Sequence, residues 1–171
     1  WGGNYEGQLG DGSVVNRSSP VQAPGLTGVV EIAAGPIHSL TRKQDGTVWA
    51  WGRNGDGALG DGGRTDRATP QPIPGLTGVA ELAAGSNHSL ARKQDGTVWV
   101  WGYNGEGQLG DRSSGQLTPQ QLPGLTGVAE IAAGSEHSLA RKQDGTVWAW
   151  GLNNNGQLGD GGQARSPTPQ P

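Results

Sequence analysis

The stretch GVAELAAGSNHSLARKQDGTVWVWGYNGEGQLGD, residues 78–111, contains the features that decide the fold of this chain. Its Trp-Gly pair recurs with a period of 50, 50 and 49 residues, at Trp1, Trp51, Trp101 and Trp150. Its histidine keeps the same spacing, at His38, His88 and His137. The 171 residues therefore form a single tandem-repeat domain, which the Trp-Gly pairs divide into units 1–50, 51–100, 101–149 and a partial unit 150–171.

Within one unit the hydrophobic pattern predicts short strands and no helix. Val79–Ala84 and His88–Lys93 alternate with the two-residue period of a strand, and Thr97–Trp101 adds a third strand. Thr69–Pro74 is rich in proline, so it fits only the edge of a sheet. About four strands are expected in each unit, which is the content of one β-propeller blade.

The dipeptide Asp95-Gly96 separates the second and third of these strands. Aspartate followed by glycine between two strands is typical of a two-residue hairpin loop in a type I′ turn, where both residues have positive φ. We therefore predict a type I′ hairpin here and at the matching positions of the other units.

The stretch resembles the repeat of the regulator of chromosome condensation family. The shared elements are Gly-x-x-His, the Asp-Gly hairpin, the Trp-Gly end and the segment Asn-x-x-Gly-Gln-Leu-Gly, and they extend over the whole chain. The resemblance implies an all-β fold, a β-propeller of regulator-of-chromosome-condensation type with about three and a half four-stranded blades per chain. It also implies a role as a protein-binding platform.

The number of units raises the question of how a ring is closed. Family propellers usually have about seven blades, more than one chain supplies. Two chains would approach that number, although each would contribute the same partial unit. We therefore expect either a homo-oligomer that closes a ring or a fragment of a longer propeller, because an open arc exposes apolar faces and strand edges.

Composition and charge exclude several functional classes. The net charge is −3 and no basic run is present, so the sequence predicts no nucleic-acid partner. No apolar segment approaches the ~20 residues that cross a bilayer, so no membrane partner is expected. Cysteine is absent, which excludes disulfides and thiolate chemistry.

Two tryptophans one residue apart recur around each boundary between units, in a chain that has no phenylalanine. The strand period places both on one face, so we interpret them as core between neighbouring blades, where Trp99→Ala would cost about 3–5 kcal/mol if the ring is buried. These structural positions are Trp49, Trp51, Trp99, Trp101, Trp148 and Trp150.

Catalytic, metal and cofactor sites are not predicted. One histidine per unit supplies too few converging ligands for a metal, and the resemblance instead implies a structural histidine that bonds within its own blade. The glycine-rich loops lack the spaced acidic ligands of a calcium loop. The serine that follows each histidine points to the opposite face of its strand, so the two cannot act as nucleophile and base. We expect a protein that is not an enzyme.

Function in a repeat scaffold is expected where the copies differ. One variable position follows the Trp-Gly pair and is occupied by Arg53 and Tyr103; another precedes the histidine and is occupied by Ile37, Asn87 and Glu136. Arginine and tyrosine are typical interface anchors, so these five residues are the candidate protein contacts, although neutral drift explains the variation equally well.

Two functions remain open at the level of sequence. The first is a non-enzymatic scaffold that binds a protein or associates with itself. The second is a secreted binding or inhibitor-type propeller that recognises a partner through its variable loops. Low lysine content with abundant glycine, alanine and aspartate favours a bacterial protein. The compartment is not determined by the sequence, and a secreted or cell-surface location is the one we expect.

Overall fold

Twelve strands form three four-stranded antiparallel sheets in the computed structural model, which describes all residues 1–171. We call the sheets blades. Blade 1 contains β1 Val29–Ala34, β2 His38–Lys43, β3 Val48–Gly52 and β4 Arg67–Pro72. Blade 2 contains β5 Val79–Ala84, β6 His88–Lys93, β7 Val98–Tyr103 and β8 Gly115–Gln121. Blade 3 contains β9 Val128–Ala133, β10 His137–Lys142, β11 Val147–Gly151 and β12 Ser166–Gln170.

The strands of each blade lie in chain order from the inside of the arc to the outside. The first strand β5 contacts both β1 and β9, which places the three first strands at the inner edge. The fourth strand is the outer edge, where the prolines of β4 and β12 cost no ladder hydrogen bond. The proline-rich segment is thus an edge strand, as the sequence predicts.

The blades are out of phase with the Trp-Gly repeat. Blade 1 takes β1 and β2 from unit 1–50 and its fourth strand, Arg67–Pro72, from unit 51–100, and β3 crosses the boundary between the two units. Residues 1–22, which we call the N-terminal segment, precede the first sheet. Within this segment, Gly2 and Arg17 pair in an isolated antiparallel bridge. A periodic sequence fixes the length of a unit but not the point at which one blade ends.

The predicted hairpin is present, but its turn is of a different type. Gly96 has a φ of 77°, whereas Asp95 is not among the residues with positive φ. The amide of Gly96 donates to the carbonyl of Lys93, and the amide of Lys93 donates to the carbonyl of Thr97. This is a three-residue loop in which a type I turn precedes a glycine in the left-handed region, so the type I′ prediction is wrong. The Asp95 carboxylate holds the turn by accepting bonds from the amide and hydroxyl of Thr97, and the hydroxyl bond lowers the pKa of Asp95.

A bulge breaks the simple alternation of the first strand in each blade. The pairing of β5 with β6 shifts between Val79 and Glu81, so Val79 and Leu82, three residues apart, face the same neighbour. Both are buried against blade 1, whereas Ala83 faces blade 3.

The hydrophobic core lies between the blades. One cluster joins blade 1 to blade 2 and consists of Leu40, Val48, Ala50, Leu59, Ile73, Leu76, Val79, Leu82, Ala91 and Trp101. A second cluster joins blade 2 to blade 3 and repeats the same positions, with Trp150 in the place of Trp101. No helix in this fold has the length and hydropathy to cross a membrane.

Candidate protein-contact surface

The five candidate contact residues lie at one end of the blades, and the structure pairs them. Arg53 follows β3 and Tyr103 is the last residue of β7, while Ile37 and Asn87 immediately precede β2 and β6. The amide of Arg53 donates to the carbonyl of Ile37 at 2.9 Å, and the amide of Tyr103 donates to the carbonyl of Asn87 at 2.8 Å. The two variable positions of a unit are therefore neighbours in space.

Blade 3 repeats this pair with different side chains. Leu152 donates its amide to the carbonyl of Glu136 at 2.9 Å. Each blade thus presents two adjacent variable side chains at the same end, and the three pairs differ from one another in charge and size. We call this end the variable surface.

Solvent exposure differs among the five residues. Arg53 is exposed, and its guanidinium lies 4.0 Å from the carboxylate of Asp56. Tyr103 is 37% exposed, and its ring lies over Gly105, where a Cβ would overlap it. Ile37, Asn87 and Glu136 are half-buried. Arg53 and Tyr103 are thus the most accessible of the predicted contacts.

The turns between first and second strands meet beside the variable surface, near the inner edge. The amide of Ser86 donates to the carbonyl of Ser135, which ties blade 2 to blade 3. Together the turns line a shallow depression of about 170 Å³ whose walls are mostly glycine, alanine and serine. Small side chains at this point let the backbones of three blades approach one another.

The paired tryptophans lie on the face predicted for them, but the two members differ in burial. Trp101 is completely buried against blade 1, and Trp99 is half-buried. The ring of Trp99 is covered from solvent by Lys93, whose ammonium nitrogen lies 3.8 Å from the ring centre. Trp49 and Trp148 are likewise half-buried under Lys43 and Lys142.

The second tryptophan of each pair belongs to a repeated set of hydrogen bonds, which we call the joint. The carbonyl of Ala58 in blade 1 accepts both from the indole Nε1 of Trp101 and from the hydroxyl of Ser89, each at 2.8 Å. The equivalent pairs repeat this arrangement. The carbonyl of Gln8 accepts from Trp51 and Ser39 of blade 1, and the carbonyl of Gln108 accepts from Trp150 and Ser138 of blade 3. One carbonyl with two lone pairs therefore fastens each blade to the next.

The histidines complete the joint by reaching between blades. Nε2 of His38 lies 2.9 Å from the hydroxyl of Ser89, and Nε2 of His88 lies 3.0 Å from the hydroxyl of Ser138. The expectation that each histidine bonds within its own blade is therefore wrong. A histidine and the serine of the next repeat are about 50 residues apart, and only the stacking of blades brings them together.

A serine beside a histidine suggests a nucleophile and its base, but this pair is engaged structurally. The single hydroxyl proton of Ser89 goes to the carbonyl of Ala58, so the hydroxyl accepts from Nε2–H of His38. Both side chains are fully buried. Burial lowers the pKa of His38 to about 4 and that of His88 to about 3, so both rings are neutral at neutral pH.

The glycine-rich loops use their polar side chains to brace themselves. In blade 1 the amide group of Asn54 donates to Asp61, and its carbonyl oxygen accepts from the amide of Leu59. The bracing presents the Ala58 carbonyl to the next blade. No group of three or more histidine, aspartate or glutamate side chains is arranged so that it could hold a metal ion.

Four-stranded antiparallel sheets that stack face to face around a common inner edge define a β-propeller repeat protein. The chain belongs to the family of the regulator of chromosome condensation (RCC1) repeat, whose model matches residues 1–41, 45–92, 95–141 and 144–171. A second model of the same repeat matches residues 29–58, 79–108 and 128–157. The resemblance noted in the sequence is therefore confirmed, as is the propeller fold.

Solved structures agree with this assignment. Yeast RCC1 (Prp20), solved bound to Kap60, is 25% identical with a TM-score of 0.87 over 99% of this chain and 43% of its own. Human WBSCR16 is 26% identical with a TM-score of 0.86 over 98% of this chain and 46% of its own. A second structure of Prp20p, from Saccharomyces cerevisiae, is 27% identical with a TM-score of 0.78 over 92% of this chain and 42% of its own. The chain thus spans less than half the length of these relatives, and no curated protein matches it in sequence.

Proposed function

We propose that this chain is a non-enzymatic protein-binding module that meets its partner at the variable surface. The observation that carries the proposal is the backbone pairing of the two variable positions in each blade, which gathers scattered sequence differences into one surface. The joint residues recur in every blade, so they serve the scaffold, whereas the pairs at the variable surface differ. Exposed arginine and tyrosine supply the anchors that protein interfaces favour.

The relatives support a protein as the partner. Yeast Prp20 is described as bound to Kap60, and its second structure is described together with binding to Gsp1p and histones. RCC1 repeats generally serve binding and regulation rather than catalysis. With a net charge of −3, this chain offers little attraction for a nucleic-acid backbone. A secreted inhibitor-type protein would use the same surface, so it is a narrower form of the same proposal.

The test compares two ends of the same scaffold. The immobilised chain and its Arg53→Ala/Tyr103→Ala variant are used to capture proteins from a lysate, and the captured proteins are quantified by mass spectrometry. The captured amount of a genuine partner is expected to be at least about tenfold lower with the variant than with the unchanged chain, since two anchors are lost. The matched control is Gln44→Ala/Gln94→Ala, which changes two exposed hairpin residues at the opposite end. Equal capture by all three proteins would contradict the proposal.

Self-association is a second candidate function, favoured by exposed apolar side chains at both ends of the arc. Ile32 on blade 1 is 76% exposed and Val147 on blade 3 is 55% exposed, although their counterparts in the middle blade are buried. We propose that a second copy covers them. Sedimentation velocity of the full chain at rising concentration tests this, and a mass of 17.5 kDa at every concentration would contradict it.

A further inference from the structure

Blade 3 carries a fourth copy of the joint loop, and nothing in the chain occupies it. The loop is braced like the others: Asn153 donates to Asp160 at 3.0 Å and accepts from the amide of Leu158 at 2.9 Å. It therefore presents the carbonyl of Gln157 as the other loops present Gln8, Ala58 and Gln108. The carbonyl of Gln157 accepts no hydrogen bond within the chain, whereas each of the other three carbonyls accepts two.

Apolar side chains surround this unused acceptor. Val147 is 55% exposed, but Val48 and Val98 at the same position of the other blades are 1% and 0% exposed. Leu139 and Leu158 are half-buried, whereas their counterparts in blades 1 and 2 are fully buried. His137 is half-buried too, and its ring has no serine partner. We call this the acceptor face.

The complementary face lies on blade 1. Its donors Ser39 and Trp51 are held by Gln8 of the N-terminal segment, which covers the outer part of the blade. The inner strand β1 remains open, with Ile32 76% exposed, whereas Leu82 and Ile131 at the same position are 7% and 6% exposed. We call this the donor face.

We infer that the acceptor face of one copy binds the donor face of a second copy, head to tail, and that Gln157 of the first replaces Gln8 of the second as the acceptor for Ser39 and Trp51. The inference deepens the self-association proposed above. It rests on continuity with two joints inside the chain, which already pair these residue types at bonding distances of 2.8–3.0 Å.

The two competing acceptor segments have closely related sequences. Residues 1–12 and 150–161 both contain Trp-Gly, Asn and Gly-Gln-Leu-Gly-Asp-Gly, and they differ only at Gly3/Leu152, Tyr5/Asn154 and Glu6/Asn155. Blade 3 also has the inner strands β9 and β10, which the N-terminal segment lacks. An incoming blade 3 can therefore cover Ile32 as well as the outer part of the donor face.

A head-to-tail contact makes a prediction that a two-fold contact does not. Ile32→Asp damages only the donor face and Val147→Asp only the acceptor face, and both side chains are exposed enough that each variant is expected to fold. Each variant alone should dissociate at least about tenfold more readily than the unchanged chain, because a charge is buried at the joint. An equimolar mixture should form a one-to-one dimer through the remaining pair of intact faces, measured by native mass spectrometry.

Several results would overturn the inference. A chain that stays monomeric at high concentration contradicts it, as does association that survives either substitution or a mixture that fails to form a heterodimer. Arg53→Ala is the control, since a change at the variable surface should leave association unaffected, and this keeps the test separate from that of partner binding.

Replacement of the N-terminal segment has its own readout. Amide hydrogen exchange of the unchanged chain is measured at low and at high concentration. Assembly should slow exchange in β1 and speed it in residues 1–22, because the segment loses its place on blade 1. If residues 1–22 become more protected on assembly, the proposal that Gln157 replaces Gln8 as the acceptor is wrong.

Discussion

At the scale of single residues, the two tryptophans of each blade lie on the same face of their strand but have different structural roles. Trp101 lies at the joint, is fully buried and donates its indole N–H to Ala58. Trp99 lies nearer the hairpin, is half-buried and donates at 3.3 Å to the hydroxyl of Thr97, which immediately precedes its strand. The ring of Trp101 therefore holds two blades together, and the ring of Trp99 shields the side of that contact.

The first prediction separates these roles. Trp101→Ala should lower the free energy of unfolding by about 3–5 kcal/mol, because it leaves a large cavity and frees an acceptor. Trp99→Ala should cost about 1–2 kcal/mol, less than the sequence alone suggested, because only part of the ring is buried. Trp101→Phe keeps most of the ring but loses the donor, so it should lie between them. Urea denaturation measures all three, and equal losses for Trp101→Ala and Trp99→Ala would contradict the assignment.

The buried histidines make stability depend on pH. Burial lowers the pKa of His38 to about 4 and of His88 to about 3, whereas an unfolded histidine has a pKa near 6.5. Between these values the unfolded chain binds more protons than the folded chain, so stability rises with pH. The contribution is complete above about pH 6.5 and is lost as the pH falls toward 3.

The second prediction follows from that sign. Lowering the pH from 7.5 to 5 should reduce the free energy of unfolding by about 2 kcal/mol for each buried histidine. His88→Gln should remove about half of this dependence, while His137→Gln, at a half-buried position, should remove less. Denaturation curves at the two pH values measure the difference. A pH dependence unchanged in His88→Gln would show that other groups cause it.

At the scale of elements, the loop after the joint is built differently in blade 2. Arg112 has a φ of 59° and is the only residue other than glycine with positive φ. The equivalent positions are Gly12, Gly62 and Gly161, with φ values of 83°, 84° and 78°. Asp111 holds the turn by accepting bonds from the amide and hydroxyl of Ser113, so the backbone keeps this shape despite the side chain at position 112.

The third prediction is that Arg112→Gly stabilises the chain. Relief of the left-handed conformation should raise the free energy of unfolding by about 1 kcal/mol. Arg64→Gly, in the equivalent loop of blade 1 but without positive φ, should instead lower it, because glycine adds freedom to the unfolded chain. Thermal denaturation of both variants measures the contrast, and a shift of the same sign in both would contradict the argument.

At the scale of the whole molecule, the blades are not equally supported. Blade 2 has a neighbour on both faces, and its Leu90, Val98 and Val100 are completely buried. Blades 1 and 3 each leave one face partly open, where Ile32 and Val147 are exposed. In a repeat protein the stability of a unit depends on its contacts with adjacent units, so the middle blade should be the most stable.

The fourth prediction concerns local opening. In the Ile32→Asp/Val147→Asp variant, which blocks association at both faces, amides of β5–β7 should exchange at least about tenfold more slowly than those of β9–β11. Hydrogen exchange followed by mass spectrometry resolves the two blades. Equal protection would indicate that the chain opens as one cooperative unit.

The sequence by itself determined the repeat, the strands and their hairpins, and the face that the tryptophans share. These properties depend on local periodicity and on turn chemistry, which neighbouring residues encode. The edge strand at Arg67–Pro72 follows from proline for the same reason. Among these local features the turn type was wrong, because Asp-Gly is compatible with both kinds of hairpin loop.

The tertiary structure alone decided which repeat bonds to which. Identical units do not say whether His38 meets Ser39 of its own blade or Ser89 of the next, and stacking of the sheets selects the second. It also decided that Trp99 is less buried than Trp101, that Arg53 lies beside Ile37, and where each blade begins. The physical reason is common to all: these contacts join residues far apart in the chain, and their partners are set by how whole sheets pack rather than by the residues next to them.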